Sequence, residues 1–335
     1  MNTDIALTFV QVTEGAALAG YQWLGCGNKE NADQAAVEAM RLLLSNAAIN
    51  GKIVIGEGEI DDAPMLFIGE ELGQGGPNID IAVDPIEGTR MTAMGQSNAI
   101  AVLAASEQGS LLQAPDMYME KLVVGPKSHG AIDLDLSLED NLTRIAQSLS
   151  KPINELVMAT LAKPRHDGVI KQVQSLGVRV YAFPDGDVAA SLLTCMPESD
   201  IDLMYCIGGS PEGVITAAAM QALGGDMQAK LLFRDQVKGQ STENQLHAQI
   251  EQQRCVEMHV KANTKLELND LASSKNVIFS ATGITKGDLL EGVKAGSQNL
   301  TTETLLIHGQ SRIIRKIRST HDFSLLNSEL HAKSA

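Results

Sequence analysis

An α/β fold is predicted by three features of this sequence. Apolar strand-like runs alternate with helical patterns through the second half, at residues 156–161, 167–176, 178–183 and 188–193. Polar residues gather where those runs end, as at Lys163, Arg165, Asp185 and Asp187. The chain also has the apolar content, 44% of 335 residues, to bury one large core or two lobes. We expect a single unit over 1–335, with an α+β lobe near 1–150 and a partly parallel α/β lobe near 151–335, joined at Lys151-Pro152.

Taken in order, the chain opens on an amphipathic helix, because Ile5, Phe9, Val12, Ala16 and Ala19 recur at helical spacing. Residues 25–28 break it. A second helix over 35–44 is expected to take Asn31 or Asp33 as its N-cap. Asp33 is either that cap or a metal ligand at the helix start, and Lys29 is either a surface lysine or a phosphate contact.

Ile53-Val54-Ile55 reads as a buried strand that opens on Gly56-Glu57-Gly58-Glu59-Ile60-Asp61-Asp62, four acids within six residues. The Gly-x-Gly-x-x-Asp pattern lacks the third glycine of a dinucleotide loop, and its acids would repel a pyrophosphate. Ile81-Ala82-Val83 is a second buried strand, expected to stop at Asp84-Pro85 because proline removes a ladder donor. Glu87, Gly88 and Thr89 follow directly. Gly88 permits a tight backbone, and the Thr89 hydroxyl can orient a water or cap a helix. A solvated turn with a cap is one reading of each acidic cluster. Crowded carboxylates repel one another unless a cation sits between them, so a second acidic strand end in the same chain favours a polynuclear metal site.

Residues 98–105 and 121–124 read as further strands, with Tyr118 in the loop between them as a packed aromatic or a substrate contact. Ser137 caps a helix over the residues up to 149. Lys163-Pro164-Arg165-His166 follows the strand at 156–161 and supplies cations suited to clamping phosphate. Pro184-Asp185-Gly186-Asp187 follows the next strand. A strand at 201–207 leads through a glycine-rich turn to a helix at 214–223, offering backbone N–H groups to an anion. Glu212 there complements the helix dipole or coordinates a cation, the dipole reading being the better one locally. Residues 236–253 read as a solvated loop and helix, 277–282 and 304–307 as closing strands, and 312–318 as a half-exposed strand.

A net charge of −15 and 3% aromatic content argue against nucleic-acid and anionic-membrane partners. A small anionic substrate is compatible with that charge if metal ions and a few clustered cations reverse the potential locally. The four cysteines are widely scattered, which argues against a disulfide framework and a zinc cluster, and the seven histidines form no zinc-binding helix motif. No secretory signal is visible at the N-terminus, so a cytoplasmic location is expected.

From Gly15-Ala16-Ala17-Leu18-Ala19-Gly20 to Gly283-Ile284-Thr285-Lys286-Gly287-Asp288 the sequence resembles the bacterial class II fructose-1,6-bisphosphatases of the GlpX type, within the metal-dependent, lithium-sensitive sugar phosphatase superfamily. The motifs that carry the resemblance are the Gly56 to Asp61, Asp84 to Arg90, Lys163 to Asp167, Pro184 to Asp187 and Gly208 to Gly213 stretches. The superfamily has Asp where this chain has Glu87, a longer acid that suits the class II subgroup. The resemblance implies a layered αβαβα sandwich and removal of the 1-phosphate of fructose 1,6-bisphosphate in gluconeogenesis. It implies Asp33, Glu57, Asp84, Glu87 and Glu212 as ligands for Mn²⁺ or Mg²⁺, with two or more ions per site. Thr89 would orient the attacking water with Asp61, or with Glu59 as second choice, and Lys29 would stand beside them. Glu87, Gly88, Thr89, Tyr118, Lys163, Pro164, Arg165, Asp185, Gly186, Asp187 and Gly209 would bind substrate. A homo-oligomer, with a dimer favoured, is also implied. Three other readings are weighed: a sedoheptulose-1,7-bisphosphatase or other sugar phosphatase, a non-catalytic phosphosugar-binding regulator, and a nicotinamide dehydrogenase, which the incomplete glycine fingerprint disfavours.

Overall fold

The computed structural model describes residues 1, 3–58 and 65–322. Among them the strands are β1 (Asn50–Ile55), β2 (Glu71–Leu72), β3 (Asn78–Glu87), β4 (Ile100–Glu107), β5 (Tyr118–Val124), β6 (Val157–Leu161), β7 (Arg179–Phe183), β8 (Leu203–Gly209), β9 (Asp226–Leu232), β10 (Lys265–Glu267), β11 (Ile278–Gly283), β12 (Lys294–Ala295), β13 (Asn299–His308) and β14 (Ile313–Asp322). The helices are α1 (Thr3–Tyr21), α2 (Lys29–Ser45), α3 (Thr89–Met94), α4 (Leu138–Leu149), α5 (Asp167–Ser175), α6 (Asp187–Leu193), α7 (Ser210–Leu223), α8 (Arg234–Lys238), α9 (Thr242–Glu257) and α10 (Leu268–Leu271).

The strands form two mixed sheets. The first runs β12-β13-β11-β4-β3-β1-β2, with β14 on the far edge of β13, and the second runs β10-β9-β5-β8-β6-β7. Pairing is parallel between β1 and β3, β6 and β7, and β6 and β8, so the expected parallel element is present but antiparallel ladders prevail. The sheets interleave along the chain. β5 precedes residue 150 yet belongs to the second sheet, and β11 to β14 return to the first.

Alternation along each strand produces the layers, because successive side chains face opposite sides of a sheet. Ile53, Ile81, Val83, Ala101 and Leu103 pack with Phe9, Ala16 and Met40 of α1 and α2 on one face of the first sheet. Val54, Ile55, Ala82, Val102 and Ala104 face inward, toward Val214 and Ala218 of α7 and toward Met119, Met204 and Met227 of the second sheet. Leu122, Val124, Met158 and Leu203 cover the opposite face of that second sheet beneath Leu142 and Ile145 of α4 and Val173 of α5. Helix, sheet, helix, sheet, helix is therefore the order of layers, the expected αβαβα sandwich. The inner helix α7 is alanine-rich, with Ala217, Ala218 and Ala219 fully buried, because it must fit between two sheets.

Local expectations are borne out at several elements and corrected at others. Ser137 caps α4 by accepting from the Asp140 backbone N–H at 3.1 Å. Neither Asn31 nor Asp33 caps α2: the cap is Asn28, whose side chain accepts from the Asn31 N–H at 3.0 Å, so Asp33 sits one turn inside the helix. Pro85 does not end its strand either. β3 continues to Glu87 through a register shift, in which Asp84 lies opposite Val102 and Glu87 opposite Ile100. Two residues thus face one, a bulge that absorbs the missing proline donor. Tyr118 opens β5 rather than lying in a loop.

Candidate active site

The bulge decides where the acids of β3 point. Glu87 is three positions on from Asp84, an offset that in a regular strand would place them on opposite faces. The extra residue returns both to the inner face of the first sheet. Asp84 Oδ1 accepts from the Ile86 N–H at 3.1 Å, fixing the turn. Glu87 accepts from the N–H groups of Val188 at 2.6 Å and Ala189 at 3.4 Å, so the start of α6 holds it from the second sheet's side. Gly88 then takes φ of 91°, a left-handed value suited to glycine, and starts α3 with Thr89.

Two adjoining chambers open at these strand ends. One, of about 240 Å³, is lined by Asp33, Glu57, Asp84, Asp116 and Glu212, with Thr89 and Gly88 in its wall. The other, of about 390 Å³, is lined by Lys29, Arg90, Lys163, Arg165, Asp185, Asp187 and Glu87. Gly88, Thr89 and Glu212 belong to both. An acidic chamber therefore meets one in which four cations face four carboxylates, and the two join at a hydroxyl, a flexible backbone and a carboxylate.

The electrostatics of the acidic side follow from burial and like charge. Burial raises the Asp33 pKa, opposed by a hydrogen bond with Thr89, whose hydroxyl also donates to the Ile86 carbonyl at 3.1 Å. Burial, then Asp33, Glu212 and Asp116, push Glu57 up to about 8. Asp84 is raised well above the carboxylate range by burial and then by Glu57, Glu212, Glu87 and Asp33. Glu212 rises to about 7 through burial and Asp187, with Lys121 opposing, and its buried Oε2 has no hydrogen-bond partner. The helix-dipole reading of Glu212 is thus insufficient, since a group serving only the dipole would not be buried with an orphaned oxygen. Among the described residues no three of these acids draw together into a closed cage. They nevertheless supply only hard oxygen donors around one chamber.

The basic side is organised by carboxylates as well. Asp185 pairs with Lys163 at 2.5 Å and with Arg90 at 3.3 Å. Asp187 is paired at 2.7 Å with Lys121, a lysine with no exposed surface, and leaves its buried Oδ1 without a partner. Burial pulls the Lys121 pKa down, but Asp187, Cys206 and Glu212 outweigh it and the net shift is upward. The ammonium therefore stays charged. Arg165 donates from Nε to the Ile207 carbonyl at 2.8 Å and lies over the Tyr118 ring, 5.4 Å from its centroid. His166 Nε2 accepts from the Ile207 N–H at 2.8 Å, which ties the turn carrying Pro164 and Arg165 to β8.

Sequence reasoning missed Asp116, Lys121 and Arg90. Lys121 had a signal, because Met119, Lys121 and Val123 share one face of β5 and a lysine on an apolar stripe needs a partner. Asp116 had only its place before β5, and the clamp that sets it, Ser210 Oγ donating to the Pro115 carbonyl at 2.6 Å, joins residues far apart in sequence. Glu59 and Asp61 lie outside the described residues.

Gly56 provides a direct test of how Glu57 is placed. A β-carbon there would stand 2.0 Å from the Leu66 carbonyl oxygen, a backbone atom that accepts from the Glu57 N–H at 3.0 Å. Gly56→Ala must displace that contact, at about 1–3 kcal/mol. Its kcat should fall at least about tenfold, which steady-state kinetics on the folded variant checks.

All four cysteines are free, and no helix of the described residues is long and apolar enough to cross a membrane. A family model described as bacterial fructose-1,6-bisphosphatase, glpX-encoded, matches residues 3–321. The chain is 61% identical over 322 residues to fructose-1,6-bisphosphatase 1 class 2 of Escherichia coli strain K12, covering 96% of each. It is 57% identical to the class 2 enzyme of Haemophilus influenzae, over 96% of this chain and 97% of that one. To fructose-1,6-bisphosphatase 2 class 2 of Escherichia coli it is 53% identical, over 95% and 99% respectively.

Proposed function

The chain belongs to the bacterial glpX-encoded fructose-1,6-bisphosphatase family, and from that membership we propose how its own residues divide the work of the reaction. It is a phosphoric monoester hydrolase that converts fructose 1,6-bisphosphate to fructose 6-phosphate and inorganic phosphate. One observation carries the division of labour: an all-acidic chamber and the chamber that holds the cations Lys29, Arg90, Lys163 and Arg165 share Gly88, Thr89 and Glu212.

The family requires a divalent metal, and the acidic chamber fits one. Its donors are all carboxylates, they repel one another, and Glu212 brings a buried oxygen with no partner. Asp33, Glu57, Asp84 and Glu212 of that chamber, with Glu87 of the adjoining one, would hold the ions, with Mn²⁺ preferred to Mg²⁺ and two or more per site. When bound, the ions supply positive charge at the phosphoryl group and a nucleophile at neutral pH.

The remaining work falls to the chain itself. Thr89, in the shared wall, orients the attacking water with Asp61, or failing that Glu59. Lys29, at the first turn of α2, lines the adjoining chamber and would contact the scissile phosphate. Lys163, Arg165 and Tyr118 receive the phosphate that is kept, with Pro164 setting the turn between the two cations. Asp185 and the free Oδ1 of Asp187 accept sugar hydroxyls, and Gly186 and Gly209 leave room for the sugar against the backbone. The Lys163 and Arg90 pairs restrain Asp185 before substrate arrives. Four free thiols support a cytoplasmic setting. The resemblance alone supports a homo-oligomer, with a dimer first.

Phosphate release measured across fructose 1,6-bisphosphate, sedoheptulose 1,7-bisphosphate and sugar monophosphates, with Mn²⁺, Mg²⁺ or chelator, tests this reading. The highest kcat/KM should go to fructose 1,6-bisphosphate with Mn²⁺, and chelation should abolish turnover. Equal turnover of monophosphates would refute a pocket that reads two phosphates.

A further inference from the structure

The second chamber is lined by four cationic side chains, Lys29, Arg90, Lys163 and Arg165, and by as many carboxylates. Two of them, Arg90 and Lys163, are already committed to Asp185. A sugar bisphosphate brings two highly charged groups, so the kept phosphate has fewer uncommitted partners than the chamber's composition suggests. Arg165 is one, since only its Nε is engaged by the Ile207 carbonyl.

A further cation shares the Tyr118 ring with Arg165, although neither it nor the ring belongs to the chamber's lining. Lys238 Nζ lies 5.9 Å from the centroid of the Tyr118 ring, the ring that Arg165 approaches to 5.4 Å. Both distances are within cation–π range, and neither interaction consumes the hydrogen-bond donors. Lys238 is exposed, and no carboxylate among the described residues pairs with it. Its backbone is well anchored all the same. β9 pairs Leu232 with Tyr118, and the chain turns at once into α8, held by the Arg234 N–H donating to the buried Glu251 carboxylate at 2.7 Å. The fold therefore delivers, near the Tyr118 ring that Arg165 also approaches, an ammonium with no carboxylate partner among the described residues.

We propose that Lys238 is a specificity residue that, with Tyr118 and Arg165, grips the phosphate retained on the sugar. The proposal rests on the reading that Arg165 and Tyr118 face that phosphate rather than the one removed. A charge-assisted contact to phosphate at an accessible site is worth about a tenfold change in binding.

The test is steady-state kinetics of Lys238→Ala, Lys238→Arg and Arg165→Ala, with fructose 6-phosphate as a product inhibitor that carries only the retained phosphate. Lys238→Ala should raise both the KM for fructose 1,6-bisphosphate and the Ki of fructose 6-phosphate by roughly fivefold to tenfold, with the loss carried by KM rather than kcat. Lys238→Arg should recover most of it. If Arg165→Ala weakens fructose 6-phosphate inhibition and Lys238→Ala does not, or lowers only kcat, the role of Lys238 is overturned and the chamber assignment survives. If Arg165→Ala also leaves that inhibition unchanged, the chamber assignment fails and takes the proposal with it.

Discussion

Replacing Asp84 with asparagine is expected to lower kcat by about 10²- to 10³-fold or more while leaving the protein folded. Asp84 sits at the β3 bulge, with Glu57, Glu212, Glu87 and Asp33 all raising its pKa after burial has done so. Without divalent metal, those neighbours make the carboxylate a liability, so the asparagine variant should melt no lower than the parent. Ligand binding stabilises a native state by RT ln(1 + [L]/Kd), about 2.7 kcal/mol at a hundredfold excess over Kd. Mn²⁺ should therefore raise the melting temperature of the parent and raise that of Asp84→Asn much less. Activity is lost and metal-free stability is kept or gained, a combination that a merely structural residue would not give. An equal Mn²⁺-induced rise in both proteins would remove Asp84 from the ligand set.

Lys121→Met should produce the opposite pattern, a loss of fold stability. Lys121 and Asp187 are 0% and 4% exposed and 2.7 Å apart, so removing the ammonium strands a buried carboxylate beside Cys206 at the base of the chamber. Breaking one partner of a buried pair costs about 3–5 kcal/mol. Thermal melts should show a drop of about 4–7 °C. The double variant Lys121→Met/Asp187→Asn should recover much of that, because the orphaned charge is gone, yet its KM should exceed the parent's because the carboxylate proposed to meet the sugar is gone too. If the single variant melts like the parent, Asp187 is not dependent on this pair.

Local chemistry made the acids and cations legible before any coordinates. Glu57, Asp84 and Glu87 follow apolar runs short enough to be strands, and Lys163 and Arg165 follow another, so a strand-end site could be read from pattern alone. The same reading could not show that Glu87 is held by Val188 and Ala189, since that contact crosses between the two sheets. Pro85 was misleading because a missing donor is tolerated at a bulge, and the bulge is visible only once β4 is paired alongside. The Asn31 and Asp33 caps failed for a smaller reason: α2 begins earlier, at Lys29, and Asn28 already satisfies its first turn. Lys238 and Asp116 lie in stretches with no periodic signal. Only β9 beside Tyr118, and Ser210 beside Pro115, bring them to the site.

Everything proposed for the reaction depends on divalent cations held against the wall that carries Thr89 by Asp33, Glu57, Asp84 and Glu212 of the acidic chamber and by Glu87 of the adjoining one. Anomalous scattering from crystals grown with Mn²⁺ measures this most directly. Two or more manganese peaks liganded by those carboxylates are predicted. Peaks confined to other surface acids, with this chamber lacking manganese while the same crystals hydrolyse fructose 1,6-bisphosphate, would contradict it.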